Sequence, residues 1–397
     1  MMANRCGMRS VVITALLLLP AAGQDPGKSS NPGASRPDWQ RLELPSAAGS
    51  VTPEVTSTAT GALLTWIEPV GKGSHALQLR QYDDGRFAAP SRVVEGGTLF
   101  VNWADFASAV VAGDGAVVAH WLRRGGRGQY GIEVARRPPG ADPFTGLGHP
   151  HREGIRGEAG FVSMLPEGAG VRLFWLDGRN YERQRRMELR TTTIVGDTFG
   201  AEEVLDPDVC TCCQTSAIVT ANGPAIVYRG HTAGEVRDIL IARRDGDGWT
   251  KPRAVADDGW VVPGCPVNGP AMAARGSQVA VVWYTGAKDG AGVKLALSDD
   301  AGATFARAHQ VDREDPVGRC DIAATAHGFV LCWLAAGDDG SVLRTQEWVN
   351  DAPGPAVDVA RVPASRESGF PRLTAVRGGA LLVWTGSDGI HAAHWLQ

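Results

Sequence analysis

The sequence predicts an all-β fold, a β-propeller ring of four-stranded blades, and two observations lead there. Seven short apolar runs each end in an aromatic residue: ALLTW at Trp66, AVVAHW at Trp121, VRLFW at Trp175, PAIVY at Tyr228, VAVVW at Trp283, FVLCW at Trp333 and ALLVW at Trp384. Their spacings are 55, 54, 53, 55, 50 and 51 residues, a period that marks a repeat array. The 51 Gly and 24 Pro among 397 residues punctuate the chain often enough for many short strands.

Taken in order, the chain opens with a signal segment, residues 1–23. Arg5 and Arg9 precede the apolar run Val11–Leu19, and Pro20-Ala-Ala-Gly23 supplies small residues for cleavage. Residues 24–37 are rich in Gly, Pro and Ser and read as a flexible leader. Export to the periplasm or the extracellular space is therefore expected. No later run is long and apolar enough to span a membrane as a helix. Loss of the two arginines leaves 37 basic against 43 acidic residues, a net charge of −6, which argues against broad nucleic-acid binding.

The propeller domain is expected over residues 38–397. The first repeat reads as four strands: Glu54–Ala59, Ala62–Glu68, His75–Tyr82 and Arg86–Val94. Later repeats run over Asp105–Thr145, Ala159–Leu205, Gln214–Val255, Pro270–Val311 and Asp321–Val362. The seventh, Pro371–Leu396, has room for only three strands, and Asp38–Leu44 resembles the missing outer one. Placed there, it closes the ring and removes an exposed sheet edge. A six-bladed ring with one irregular repeat is the alternative. Strands packed between blades are buried on both faces, so they read as continuous apolar runs, and the terminal aromatics are expected as inter-blade packing.

Ser298-Asp-Asp-Ala-Gly-Ala-Thr-Phe305 resembles the Asp box, S-x-D-x-G-x-T-[WF], of the sialidase-like propellers. Degenerate copies fall at the same phase in Asp83–Phe87, Thr192–Phe199 and Asp245–Trp249. Locally, Asp300 can accept backbone N–H bonds, Gly302 can take positive φ and Phe305 can tuck under the sheet. The resemblance implies the propeller fold and, for an enzyme, a glycoside hydrolase related to exo-sialidases. Such enzymes use three arginines on the substrate carboxylate, an Asp acid/base and a Tyr nucleophile paired with a Glu. The chain lacks the family's Arg-Ile-Pro-like motif near the propeller start. Its five tyrosines end at Tyr284, too early for the family's nucleophile.

In propellers, the loops entering each innermost strand and those joining the second and third strands gather around one mouth of the channel. Arg229, Arg237, Arg319 and Arg372 fall in these loops and could converge on an anion through paired N–H donors. The plainer alternative is that each pairs with a neighbouring acid, such as Arg237 with Asp238 or a nearby Glu. For acid/base chemistry the candidates are Asp105, Glu158, Asp238 and Asp321, with Tyr181 and Glu182 as the adjacent Tyr–Glu pair.

Cys210, Cys212, Cys213, Cys265 and Cys320 also lie in mouth loops, of three successive repeats. Three readings stand side by side, one of them a redox-active thiol. An exported protein commonly oxidises its thiols, which points to disulfides such as Cys210 or Cys212 with Cys265. Thiolates also bind soft metals, which points to Cu or Zn, with His231 as a further ligand. Cys212 and Cys213, adjacent on an extended chain, are expected to face opposite sides. Cys332 reads as a small core residue.

The sequence thus leads us to expect an exported monomer that binds an anionic small molecule or glycan at the mouth. In enzymatic form it would be a divergent glycoside hydrolase needing no cofactor. The alternative is a non-enzymatic module whose Cys-rich mouth takes a soft metal or a protein partner.

Overall fold

The computed structural model describes residues 36–397 apart from 127, 152, 153, 155 and 289. The expected signal segment and all but the last two residues of the leader lie outside the described residues. Among the described residues, no helix is long and apolar enough to cross a membrane.

Seven antiparallel blades follow one another in chain order. Their innermost strands are Val51–Ser57, Ser108–Val111, Ala159–Glu167, Ser216–Thr220, Ala271–Arg275, Pro316–Ala324 and Arg372–Val376. The ring closes as expected: Gln40–Leu42 pairs antiparallel with Ile390–Leu396, in the register Gln40 to His394 and Leu42 to Ala392. Trp39 reinforces this seam by donating its indole N–H to Thr345 Oγ1 at 2.8 Å. The six-bladed alternative is set aside.

Blade limits differ from expectation where proline or a turn intervenes. Arg86–Val94 is not one strand. Arg86–Phe87 forms a hairpin end, and the outer strand is Ser91–Gly96. Pro90, which has no N–H to offer a ladder, separates them. The same two-residue hairpin ends recur at Thr198–Phe199 and Gly248–Trp249.

Each of the seven aromatics is buried, at 0–9% exposure, in the layer between its own blade and the preceding one. Trp66 packs with Leu381 and Val383 of blade 7, Trp175 with Val118 and Ile132 of blade 2, and Trp283 with Val227 and Ile241 of blade 4. Burying an indole or phenol leaves a polar hydrogen that needs an acceptor. Carboxylates supply it in five blades. Glu68 accepts from Trp66 at 3.2 Å and Asp177 from Trp175 at 2.8 Å. Asp206 accepts from Tyr228, Asp258 from Trp283 and Asp312 from Trp333, each at 2.7 Å. The Ser298–Phe305 turn is held by Asp300, which accepts from Thr304 N at 2.7 Å, Thr304 Oγ1 at 2.6 Å and Ser298 Oγ at 2.8 Å.

The innermost strands enclose a channel of about 420 Å³. One end of it is covered. Trp103, Ala104 and Phe106 from the loop entering blade 2 pack with Val267 before blade 5 and Phe370 before blade 7. Trp103 and Phe370 stack at 5.9 Å between ring centroids. Arg319 of blade 6 lies 4.9 Å above the Trp103 ring. Gln214, entering blade 4, donates to the Ala104 carbonyl at 2.5 Å and accepts from Gly269 N at 3.0 Å. Blade 2 is not next to blades 4, 5, 6 or 7, so these contacts can form only across the ring axis. The walls run to Val219, Ala274, Ala324 and Ala375 at the opposite face.

Candidate functional site

The predicted arginines do not converge on an open mouth. Arg229 is buried, and its Nε and Nη2 donate to the Asn268 carbonyl at 3.0 and 2.7 Å. Its Nη1 donates to the Arg237 carbonyl at 2.6 Å and Nη2 also to that of Tyr284 at 2.8 Å. Arg319 donates to Gly369 O at 2.8 Å and Ser368 Oγ at 2.9 Å within the cap. Burial, and then the charge of Arg366, lower its pKa to about 10. Arg372 pairs with Glu54 at 2.7 Å and lies 3.4 Å from Asp321. Burial works to lower its pKa, and Asp321 and Glu54 together outweigh that. These three groups therefore hold backbone or acids in place, and Arg237 pairs with Glu235 at 2.7 Å while its other Nη faces the Cys210 sulfur.

The predicted acids divide similarly. Asp238 clamps the loop before blade 5, accepting Gly259 N at 2.9 Å and Trp260 N at 3.0 Å. Asp321 accepts Ile322 N at 2.9 Å and Leu373 N at 2.8 Å, and burial raises its pKa. Tyr181 and Glu182 are exposed on a one-turn helix, Tyr181–Gln184, with Arg185 over the tyrosine ring at 5.3 Å. The Tyr and Glu that the fold brings together are instead Tyr130 and Glu158, and each shifts the other's titration. The backbones of these two residues also form a β-bridge. Nothing in the local sequence joins them, since they belong to successive blades.

Asp105 lies beside this pair. Its Oδ1 accepts Phe161 N at 2.8 Å, while Oδ2 is buried with no hydrogen-bond partner. Burial raises its pKa to about 7. Gly160 makes room for it, because a methyl group there would lie 2.1 Å from Oδ2 and 3.2 Å from the Tyr130 ring. Glu54, missed in the sequence, is likewise pushed to about 7 by burial, against the pull of Arg372.

The cysteines give the densest cluster. Cys210 follows the last strand of blade 3 and donates its N–H to the Arg229 carbonyl at 3.1 Å. A turn at Thr211 and Cys212 then folds the chain back. The chain is not extended there, so Cys212 and Cys213 do not face opposite sides. Cys210 Sγ is 3.9 Å from Cys212 Sγ and 3.6 Å from Cys213 Sγ, and all three sulfurs lie within 4.8 Å of one another. Arg237 Nη1 donates to Cys210 Sγ at 3.3 Å. Hydrogen bonds from Cys212 and Cys213 hold the Cys210 thiol well below its usual pKa, against burial and with help from Arg229. Burial pushes Cys213 up to about 12.

The other cysteines stand apart. All six described cysteines are free thiols, so the proposed bridge from Cys210 or Cys212 to Cys265 is not formed. Cys265 is exposed, and Cys320 packs in the apolar layer between blades 5 and 6. His231 is held by Asp208 at 2.7 Å rather than aimed at the thiols.

Three thiolates around a metal at ~2.3 Å stand roughly 3.8 Å apart. The two separations from Cys210, 3.9 and 3.6 Å, match, and the remaining pair lies within 4.8 Å, so a small movement would let the sulfurs receive an ion.

No family model matches the sequence, and no curated protein is similar to it. Solved structures do match by shape. A protein of unknown function from Dyadobacter fermentans superposes with a TM-score of 0.50 at 12% identity, over 92% of this chain and 100% of that one. The chain is a seven-bladed β-propeller. The propeller domain of a Pyrococcus furiosus protease gives 0.49 at 9% identity, over 88% of this chain and 95% of that one. A Trypanosoma rangeli sialidase gives 0.48 at 12% identity, over 88% of this chain and 59% of that one. Likeness at these identities speaks of the fold alone, and a propeller hosts many functions.

Proposed function

We propose that this protein is an exported propeller that binds a soft metal ion through Cys210, Cys212 and Cys213. The observation that carries this is the three-sulfur cluster, preassembled at metal-bridging distances with a guanidinium on one sulfur. Soft thiolate sets select Cu(I) and Zn(II) among biological metals. The protein supplies the site by a turn at the start of blade 4, braced by Arg229 and Arg237. The test is metal uptake by the reduced full chain, followed by elemental analysis after gel filtration. About one equivalent is expected, and a Cys210→Ser, Cys213→Ser variant should take up none. Absence of uptake by the reduced protein removes this reading.

A second reading keeps the glycan. Tyr130 with Glu158, beside Asp105, has the residue types of a sialidase nucleophile pair and its acid/base. Against it, burial first, and then Asp105 and Glu158, raise the tyrosine's pKa, where a nucleophile needs it lowered. The arginines that would hold a carboxylate are already engaged. Turnover of a fluorogenic sialoside, lost in Tyr130→Phe, would restore the glycosidase reading.

A further inference from the structure

Resting on the metal reading above, we infer that the Cys210–Cys213 site is three-coordinate and built for monovalent copper rather than zinc. A structural zinc takes four protein ligands, and an open zinc site adds water to three. Among the described residues, the group of His, Cys, Asp and Glu around these sulfurs has three members only. The residues that could add a fourth are committed elsewhere. His231 has Nδ1 2.7 Å from Asp208 and Nε2 3.4 Å from Glu235. Cys320 lies buried in the next inter-blade layer but one, and Cys265 is exposed on a separate loop.

Burial acts in the same direction. Cys210 and Cys213 are each 1% exposed, and Cys212 is half-buried. Water thus has access from the side of Cys212 alone. Cu(I) is a soft d10 ion that accepts a trigonal set of sulfurs without a fourth partner.

Charge acts with it. Arg237 contacts the Cys210 sulfur through Nη1, and its Nη2 is held by Glu235 Oε2 at 2.7 Å, which fixes the guanidinium in place. That group stays protonated at any biological pH. Arg229 is buried behind the cluster, its donors fixed on backbone carbonyls. Three thiolates carry a net charge of −2 with Cu(I) and −1 with Zn(II), so positive charge held beside the sulfurs offsets the larger residual charge of the copper form. Binding would release the thiol protons to solvent, and no electron is transferred.

The test uses the reduced full chain under anaerobic conditions. Cu(I) is titrated against bicinchoninate, Zn(II) against a chromogenic zinc chelator, and the copper-loaded protein is examined by X-ray absorption. The expected result is one Cu(I) per chain with three sulfur neighbours and no nitrogen or oxygen, not displaced by excess Zn(II). Arg237→Gln should narrow the preference for Cu(I) over Zn(II) by on the order of 10-fold. Zinc binding at least as tight as copper, or a fourth light-atom ligand on copper, overturns the inference while leaving a thiolate metal site in place. Failure of both metals to bind overturns the metal reading itself.

Discussion

Arg237 Nη1 donates a hydrogen bond to the Cys210 sulfur at 3.3 Å, joining the second-to-third-strand loop of blade 4 to the segment that enters the blade. A charge-assisted contact of this kind, taken alone, stabilises by about 1.5–3 kcal/mol. Replacing Arg237 by Leu should therefore lower the metal-free protein's stability by about 2 kcal/mol, read from urea midpoints at pH 7. In a double-mutant cycle with Cys210→Ala the two losses should not add. Strict additivity would mean the contact contributes nothing.

Arg229 is expected to be a brace, not a ligand-binding group. Arg229→Lys leaves buried carbonyls of Asn268, Arg237 and Tyr284 short of donors, which should cost about 3 kcal/mol. The variant's anion affinity should be unchanged wherever it folds. A stability near that of the parent protein, with weakened anion binding, would return Arg229 to the binding site.

Gly160 is set by space rather than by backbone conformation. Gly160→Ala should destabilise by about 2–3 kcal/mol, since the added methyl meets Asp105 Oδ2. Asp105→Ala in the same chain should recover part of that loss. Calorimetry of the two single variants and the double variant checks this.

The buried acids give a pH dependence with a definite sign. Asp105 and Glu54 have folded pKa values near 7, above their usual values. Their contribution is complete below the ordinary carboxylate range and is lost as pH rises through 7. His120, lowered by burial to about 4, acts oppositely and loses its contribution as pH falls from 6.5 through 4. Asp105→Asn should therefore gain stability relative to the parent at pH 8 but not at pH 4, by up to about 3 kcal/mol. An equal shift at both pH values would contradict it.

The turn at Asp300 is a smaller, local contributor. Asp300→Ala should cost about 1 kcal/mol at neutral pH. Hydrogen bonds from Thr304 lower its folded pKa to about 2, so its contribution is present above the usual carboxylate range and is lost as pH falls through 2. Chemical denaturation at pH 7 and pH 2 separates the two states.

The ring was legible in the sequence because each blade repeats one demand. An aromatic must end the apolar strand that packs on the preceding blade, so Trp66 and its six counterparts mark the period. The closing strand was legible because the last repeat was one strand short. The site was less so. Cys210, Cys212 and Cys213 could be read as a cluster, but the turn at Thr211 that gathers them could not. Tyr130 and Glu158 are 28 residues apart in different blades, and only the ring geometry makes them partners. The arginines misled because residue type shows donor capacity and not the carbonyls that will use it. The acceptors for Arg229 come from Asn268 and Tyr284, 39 and 55 residues away.

The packing of Trp103 against Phe370 also decides how solutes travel. With that end stoppered, the shaft lined by Glu54, Asp321 and Arg372 is a cul-de-sac, filled and drained from the far side of the disc. An ion wandering into it meets carboxylates and then a wall, never the three thiols. The two ends of the molecule thus sample different surroundings, and the cysteine turn belongs to the stoppered one, where Gln214 beside Cys213 meets Ala104.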